Sequence, residues 1–163
     1  MTWRCSAGGA KIYDQVRIID ADGWESIRVN LVSGKDPVIV GEKALQLKKK
    51  RYYFQDTFSL KKGEIFVSPL DLNIEHGEIE IPLKPMIRFG TPIFDEQGQK
   101  RGIIIFNYLA ANLIQDLKDL VDASFGRCMM LNSDAYWLVY PSSPEREWGF
   151  MFEAGMHFTI NWN

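Results

Sequence analysis

The sequence is poor in the residues that build metal sites and disulfide frameworks. Its 163 residues include two cysteines and two histidines. Cys5 and Cys128 are too few for a disulfide framework, and neither they nor His76 and His157 have a partner at metal-ligand spacing. We therefore expect no metal and no cofactor. A disulfide between the two cysteines and two buried free thiols both stay open at this point.

Long apolar runs and a surplus of positive charge are also missing. The longest apolar stretches, such as residues 103–106, are strand-sized and fall well short of the roughly 18 residues of a membrane span. Residues 1–10 contain no apolar run of the kind that a signal peptide needs. We expect either a cytosolic protein or the soluble part of something larger. The net charge of -2 and the pI of about 5.7 disfavour a nucleic-acid-binding protein.

No catalytic motif is present in the sequence. It lacks G-x-S-x-G, a glycine-rich phosphate loop, H-E-x-x-H and any kinase or cyclase signature. Four carboxylates cluster between residues 71 and 80, but a solvated acidic loop explains them more simply than a metal site does. We therefore predict that the chain is not an enzyme.

Apolar and aromatic residues are plentiful. Hydrophobic residues make up 46% of the chain and charged residues 25%, close to the averages for globular domains, which excludes a disordered tail. The length suits about one domain. Aromatic residues reach 13%, which is enough material for a sizeable core.

The first part of the chain predicts a β-hairpin followed by helices. Asp22-Gly23 is a hairpin turn signal between strands at residues 13–20 and 25–32. Alternation in the second strand puts Ile27, Val29 and Leu31 on one face and Arg28 on the other, which we expect to be solvated. Short helices are predicted at 42–50, with solvated lysines at 48–50, and at 51–60.

The rest of the chain predicts a meander, a helix and a second hairpin. Three strands are expected at residues 65–72, 85–94 and 101–109, with a turn or wide loop at 73–80. A helix follows at 110–123, because apolar residues recur there with helical spacing and Gly126 ends the pattern. A further strand–turn–strand unit covers residues 128–140.

This order predicts an α+β fold with one five-stranded antiparallel sheet flanked by helices, the PAS-like plan. The strand at residues 101–109 is apolar on both faces and needs cover on both. We expect its outer face to be covered by a partner chain, by the 110–123 helix or by the C-terminal segment, or to be left exposed. The stretches IIDADGWESIRV and MLNSDAYWLVYP share one pattern, so the chain opens a second module.

Several stretches resemble the double-Cache (PDC) sensor domains of bacterial membrane receptors. They are YDQVRIIDADGWESIRVN, GEIFVSPLDLNIEHGEIEIPLKPMIRFGTPIFD, MLNSDAYWLVYP and EWGFMF, and the resemblance covers residues 13–152. Sensor histidine kinases are the closest family, and related regions belong to diguanylate cyclases and chemoreceptors. The small, glycine-containing residues at the start predict an irregular segment at 1–12, where the resembling domains have a long helix. The resemblance implies a membrane-distal module at 13–109, a connecting helix at 110–126 and a partial membrane-proximal module at 127–163.

The resemblance also implies a function. It implies the extracytoplasmic, periplasmic sensing part of an inner-membrane receptor, attached through transmembrane helices that lie outside this chain. The expected ligand is a small carboxylate or an amino-acid-like molecule, and a homodimer is left open. The alternative is a dimerisation or interaction module with a vestigial pocket.

In the PAS-like plan a ligand lies between the helical segment and the inner face of the sheet. Such pockets are mostly apolar with a few placed polar groups. Arg88 lies mid-strand, where it would either pair with a carboxylate such as Asp71 or present its bidentate fork to a ligand carboxylate. The predicted ligand-binding residues are Arg51, Tyr52, Tyr53, Ser68, Asp71, Arg88, Asn107 and Tyr108.

Overall fold

A computed structural model describes residues 12–31, 36–122 and 128–152. Expectations for Cys5, His157, Gly126 and the two chain ends lie outside these residues. Within them the model contains two α-helices and eleven strands. The strands are β1 (Tyr13–Asp20), β2 (Glu25–Asn30), β3 (Val38–Ile39), β4 (Phe66–Val67), β5 (Asp71–Leu72), β6 (Ile74–Glu75), β7 (Glu78–Ile79), β8 (Pro85–Phe94), β9 (Lys100–Leu109), β10 (Met130–Leu131) and β11 (Trp137–Val139), and the helices are α1 (Tyr52–Ser59) and α2 (Ala110–Asp122).

The main sheet has the predicted PAS-like arrangement. Its strand order is β3-β2-β1-β9-β8-β4, and β5 pairs antiparallel with the start of β8. The five predicted strands correspond to β1, β2, β8, β9 and a broken strand, β4 with β5. The α+β fold class is therefore confirmed. The sheet has seven strands rather than five, because β3 adds a short edge strand and the predicted 65–72 strand is split around Pro69.

By the density of its contacts the chain forms two compact units. Among the described residues, the first contains 12–31, 36–66 and 88–108, and the second contains 67–87, 109–122 and 128–152. The predicted module boundaries at 13–109, 110–126 and 127–163 stay a prediction.

Helix α1 packs on the sheet in the first unit. Tyr53, Phe54 and Thr57 are buried along one side of the helix, and Tyr53 and Phe54 join a core with Ile19, Ile103 and Ile105. The helix comes close to the sheet at Gly90, where an added Cβ would lie 2.6 Å from Thr57 Oγ1 and 2.5 Å from Ile105 Cδ1. Only a residue without a side chain therefore lets α1 lie this close to the sheet.

The β1–β2 hairpin buries its polar face, contrary to the prediction for Arg28. The Asp-Gly turn forms as predicted, with Gly23 at φ 88°. Val29 and Arg28 do lie on opposite faces, but Arg28 is 6% exposed whereas Ile27 is 47% exposed. The prediction of a solvated Arg28 was wrong because β1 also turns polar residues to this face, where they form one hydrogen-bonded cluster.

Residues 42–50 do not form the predicted helix. A single 3-10 turn covers Glu42–Ala44, and the chain then runs extended beside the hairpin. Glu25 N–H donates to the Gln46 carbonyl at 3.1 Å, and Lys48 N–H donates to the Gly23 carbonyl at 2.7 Å. These tertiary backbone bonds replace helical ones. Lys48, expected to be solvated, is 4% exposed and donates to the Gln46 side chain at 2.8 Å.

The second unit has its own apolar core. Leu72, Ile114, Leu138, Val139 and Trp148 are buried together. Strands β6 and β7 form a small hairpin at the position of the predicted turn or loop, and β10 and β11 form the predicted strand–turn–strand unit. Neither α1 nor the described part of α2 has the length and apolarity that crossing a membrane requires.

The outer face of the first unit's sheet is apolar, and the described part of the chain covers it only partly. Register pairs Val16 with Val29 and Phe106, and Ile18 with Ile27 and Ile104. Val16, Ile18, Ile104 and Phe106 are half-buried, whereas Ile27 is 47% exposed. The expectation that this face requires cover stays a prediction.

Candidate functional site

Polar side chains gather on the inner face of the first unit's sheet, beneath the start of α1. The group consists of Gln15, Arg17, Tyr52, Tyr53, Arg88 and Asn107, and we call it the arginine–tyrosine cluster. All but Tyr52 are at least nine-tenths buried. Burying polar groups so completely costs free energy unless they bond to one another or to a ligand.

Tyr53 is the centre of the cluster. Arg17 Nη1 donates to the Tyr53 hydroxyl at 3.2 Å. The Arg88 guanidinium carbon lies 5.1 Å from the centre of the same ring, and that of Arg51 lies 5.6 Å from it, both within cation–π range. Three cationic groups from β1, β8 and the residue before α1 therefore converge on one buried ring.

Arg88 also reaches the neighbouring tyrosine. Its Nη1 lies 3.5 Å from the Tyr52 hydroxyl. The rings of Tyr52 and Tyr53 are edge to face, with centroids 5.7 Å apart. The first residues of α1 thus present two phenol groups to the two buried arginines.

Asn107 is the member of the cluster that lies on β9. Its Nδ2 donates to Gln15 Oε1 at 3.3 Å, and Arg17 Nη2 donates to the same oxygen. Asn107 Oδ1 is buried and has no hydrogen-bond partner among the described residues. The cluster therefore keeps an unused acceptor beside its donors, whereas most buried polar atoms in folded proteins have a partner.

Of the six residues predicted in the first unit, four are members of this cluster, Arg51 contacts it through Tyr53, and Tyr108 does not belong to it. Arg51, Tyr52, Tyr53, Arg88 and Asn107 are brought together as described. Tyr108 is next to Asn107 on β9, and its ring contacts Tyr13 and Phe89, with centroids 6.2 and 6.3 Å away. Since neighbouring strand residues point to opposite faces, Tyr108 belongs to the outer face.

The two other predicted residues fall in the second unit. Ser68 is 6% exposed, and its hydroxyl donates to the Pro69 carbonyl at 2.7 Å. Asp71 is 6% exposed in β5, where its backbone pairs with Met86. A pairing of Asp71 with Arg88 and a ligand role for Ser68 stay predictions.

Sequence reasoning missed Arg17 and Gln15. Both lie on β1, whose alternation puts Gln15, Arg17 and Ile19 on the buried side. A bulge at Asp14 turns Tyr13 to the other face, since Tyr13 pairs with Tyr108 while Gln15 pairs with Asn107. The signal that could have found them is the spacing of two that puts Gln15 and Arg17 on the same face as Ile19.

The described residues offer no metal centre. No group of three or more His, Cys, Asp or Glu side chains within them is placed to hold a metal ion. Cys128, within the same residues, is a buried free thiol.

Comparison with known proteins identifies the family. A family model described as "Bacterial histidine kinase, sensor domain" matches residues 1–162. The chain belongs to this family. It is a family of sensor domains and not of catalytic domains, in agreement with the absence of catalytic motifs. No curated protein matches the chain.

Solved structures share the fold. A domain of a sensory box/GGDEF family protein from Vibrio parahaemolyticus has a TM-score of 0.75 at 22% identity, covering 89% of this chain and 53% of that one. The extracellular domain of the histidine kinase vpHK1S-Z8 has a TM-score of 0.70 at 22% identity, with 89% and 50% covered. The ligand-binding domain of the Campylobacter jejuni chemoreceptor Tlp3, solved with 4-methylisoleucine, has a TM-score of 0.51 at 16% identity, with 80% and 47% covered.

The chain spans about half the length of these neighbours. Their identities to this chain are low, so the likeness establishes the fold. The sensor role follows from the family to which the chain belongs.

Proposed function

We propose that this sensor domain binds a small carboxylate or amino-acid-like ligand at the arginine–tyrosine cluster. The observation that carries the proposal is the convergence of Arg17 and Arg88 on the buried Tyr53. Guanidinium groups bind carboxylates through two parallel hydrogen bonds, and a buried site strengthens such bonds. Tyr52 and Tyr53 add hydroxyl donors, and Asn107 Oδ1 supplies an acceptor for a ligand donor.

The domain acts, in this proposal, as the extracytoplasmic part of a bacterial transmembrane receptor, a sensor histidine kinase. A ligand that binds one arrangement of the domain better than another shifts the populations of the two arrangements. The output domain responds to that shift. The chemoreceptor neighbour solved with an amino acid derivative supports a ligand of this class.

A ligand panel tests the proposal directly. The chain is mixed with the L-amino acids and with short mono- and dicarboxylates, and its melting temperature is measured for each mixture. A bound ligand stabilises by about 2.7 kcal/mol at a concentration of about 100 Kd, which is readily detected. The proposal is wrong if no compound of the panel raises the melting temperature.

The Arg88→Ala variant tests the site. Truncating one partner of a buried, hydrogen-bonded charge pair costs about 2 to 5 kcal/mol, which corresponds to roughly 30-fold weaker binding or more. Calorimetric titration with the most stabilising panel compound measures the affinity, and a melting curve measures the stability. Arg101→Ala is the matched control, because the Arg101 side chain is 64% exposed and lies outside the cluster.

A structural role for Arg88 predicts a different result. The variant would then melt at a lower temperature while its folded molecules bind with unchanged affinity. That outcome would assign Arg88 to the scaffold of the domain.

The alternative function is an interaction module with a vestigial pocket. It is favoured by the apolar outer face of the sheet, where Ile27 is 47% and Ile39 is 76% exposed. Sedimentation of the chain over a range of concentrations distinguishes the two. A concentration-dependent dimer with no response to any ligand supports the interaction module.

A further inference from the structure

The buried carboxylate of Glu25 connects the arginine–tyrosine cluster to the rest of the hairpin. The Glu25 side chain is 0% exposed, and its Oε1 lies 3.4 Å from Arg17 Nε. Its Oε2 accepts hydrogen bonds from Arg28 Nη1 at 3.2 Å and from the Gln46 backbone N–H at 3.0 Å. The Glu25 carboxylate therefore contacts two guanidinium groups and one backbone amide.

The two arginines that share Glu25 are opposite each other. Arg17 on β1 pairs directly with Arg28 on β2. Like charges at directly opposed positions destabilise a sheet, and burial increases the cost. Arg17 therefore depends on a nearby negative charge to keep its place.

A bulge brings Glu25 to this position. Ile18 pairs with Ile27, but Ile19 pairs with Glu25, so β2 holds one extra residue there. The extra residue puts Glu25 on the same face as Arg28, three positions away. Without the bulge, residues three apart on a strand would point to opposite faces.

The position of Arg17 determines the geometry around Tyr53. The guanidinium group is planar and rigid. The ion pair with Glu25, 3.4 Å from Nε, therefore favours the position of the guanidinium in which Nη1 meets the Tyr53 hydroxyl and Nη2 meets Gln15 Oε1. In the part of the chain that the structure describes, Glu25 contacts Arg17, Arg28 and the Gln46 amide, so it acts on the tyrosines through Arg17.

We propose that Glu25 is a positioning residue of the ligand site, whose negative charge holds Arg17 against Tyr53. This inference rests on the proposed function of the arginine–tyrosine cluster. It predicts that ligand affinity depends on the charge at position 25, although Glu25 does not touch the ligand.

The variants Glu25→Gln and Arg28→Met separate positioning from structure. Glu25→Gln removes the charge and keeps an oxygen for the Gln46 amide. Arg28→Met removes the other guanidinium and leaves the contact between Glu25 and Arg17. Both break a buried ion pair and lower the melting temperature.

Calorimetric titration uses the panel compound that stabilises the wild-type chain most. We expect Glu25→Gln to bind it about tenfold more weakly, while Arg28→Met stays within about threefold of the wild type. Equal affinities for the two variants, whether both unchanged or both reduced, would overturn the proposal.

Glu25→Asp replaces Glu25→Gln in the test if Glu25→Gln does not fold. Glu25→Asp keeps the charge and draws the carboxylate back by one methylene, so Arg17 is held less closely. We expect binding weaker than that of the wild type with the fold retained. Unchanged affinity in Glu25→Asp would overturn the proposal in that case.

A ligand-free measurement separates failure of this proposal from failure of the proposed function. If no panel compound binds the wild type, the proposed function fails. The Nε–H signal of Arg17 in a ¹H–¹⁵N NMR spectrum, assigned by its loss in Arg17→Lys, then tests the positioning role. We expect it to shift or broaden in Glu25→Gln and to stay in place in Arg28→Met, and an unmoved signal in Glu25→Gln contradicts the proposal.

Discussion

The buried hydroxyl of Thr57 is expected to lower the stability of this domain. Its side chain lies in α1 against Gly90 and is 0% exposed. Thr57 Oγ1 has no hydrogen-bond partner within the described part of the chain. A buried hydroxyl of this kind costs about 1 to 3 kcal/mol.

Replacing that hydroxyl by a methyl group should stabilise the protein. We expect Thr57→Val to raise the free energy of unfolding by about 1 kcal/mol, because the unpaired group is removed and the volume is kept. Thr57→Ala is the control, since it leaves a cavity and should lower the free energy instead. Urea denaturation measures both. A loss of stability in Thr57→Val as large as that in Thr57→Ala would mean that the hydroxyl is bonded after all.

The sequence predicted four of the six members of the arginine–tyrosine cluster and missed the two on β1. Arg88 and Asn107 each stand within a strongly apolar strand, so a polar side chain there indicates a buried partner or a ligand. Gln15 and Arg17, and Glu25 beside them, were missed because the hairpin has an equally regular apolar face, and apolar faces are normally turned inward. The burial of its polar face depends on a bulge and on contacts distant in sequence, which no local pattern records.

At the scale of single elements, Lys100 stabilises the C-terminal end of α1. Its Nζ donates to the Leu60 carbonyl at 2.7 Å and also to the Phe58 carbonyl. The same ammonium lies 5.1 Å from the centre of the Phe58 ring and 5.5 Å from that of Phe94. A cation at a helix C-terminus satisfies free carbonyls and interacts favourably with the helix dipole.

Removing this cation should loosen α1. We expect Lys100→Met, which keeps the length of the side chain, to lower the free energy of unfolding by about 1 kcal/mol or more. Arg101→Met is the matched control and should change it by less than about 0.5 kcal/mol, as exposed substitutions usually do. Thermal unfolding compares the two. Equal effects would show that Lys100 contributes no more than a surface cation.

Local sequence patterns predicted two strands to the residue and one helix to within one residue at each end. Strand β1 and strand β8 have the predicted bounds, and α1 lies within the predicted 51–60 segment. The helix at 42–50 failed because Gln46 and Lys48 bond to the backbone of the hairpin, a tertiary contact that outweighs helix propensity. The broken strand at 65–72 has a physical cause in its own sequence, since Pro69 cannot donate to a strand ladder.

At the scale of the whole molecule, the hydrogen-bonded strand pairs differ greatly in length. Strand β9 spans ten residues and lies between β1 and β8, so it is paired on both sides. The β6–β7 and β10–β11 ladders each pair about two residues per strand in separate two-stranded sheets. Isolated two-stranded ladders are marginal in stability.

This difference predicts the order in which the backbone opens. We expect the amides of residues 103–107 in β9 to exchange with solvent most slowly, at a rate near that of global unfolding. The amides of β6–β7 and β10–β11 should exchange by local opening, at least about a hundredfold faster, which corresponds to a difference of about 2.7 kcal/mol. Hydrogen exchange followed by mass spectrometry or NMR measures both sets in one sample. Equal protection in β9 and in β10–β11 would mean that the two compact units unfold in a single step.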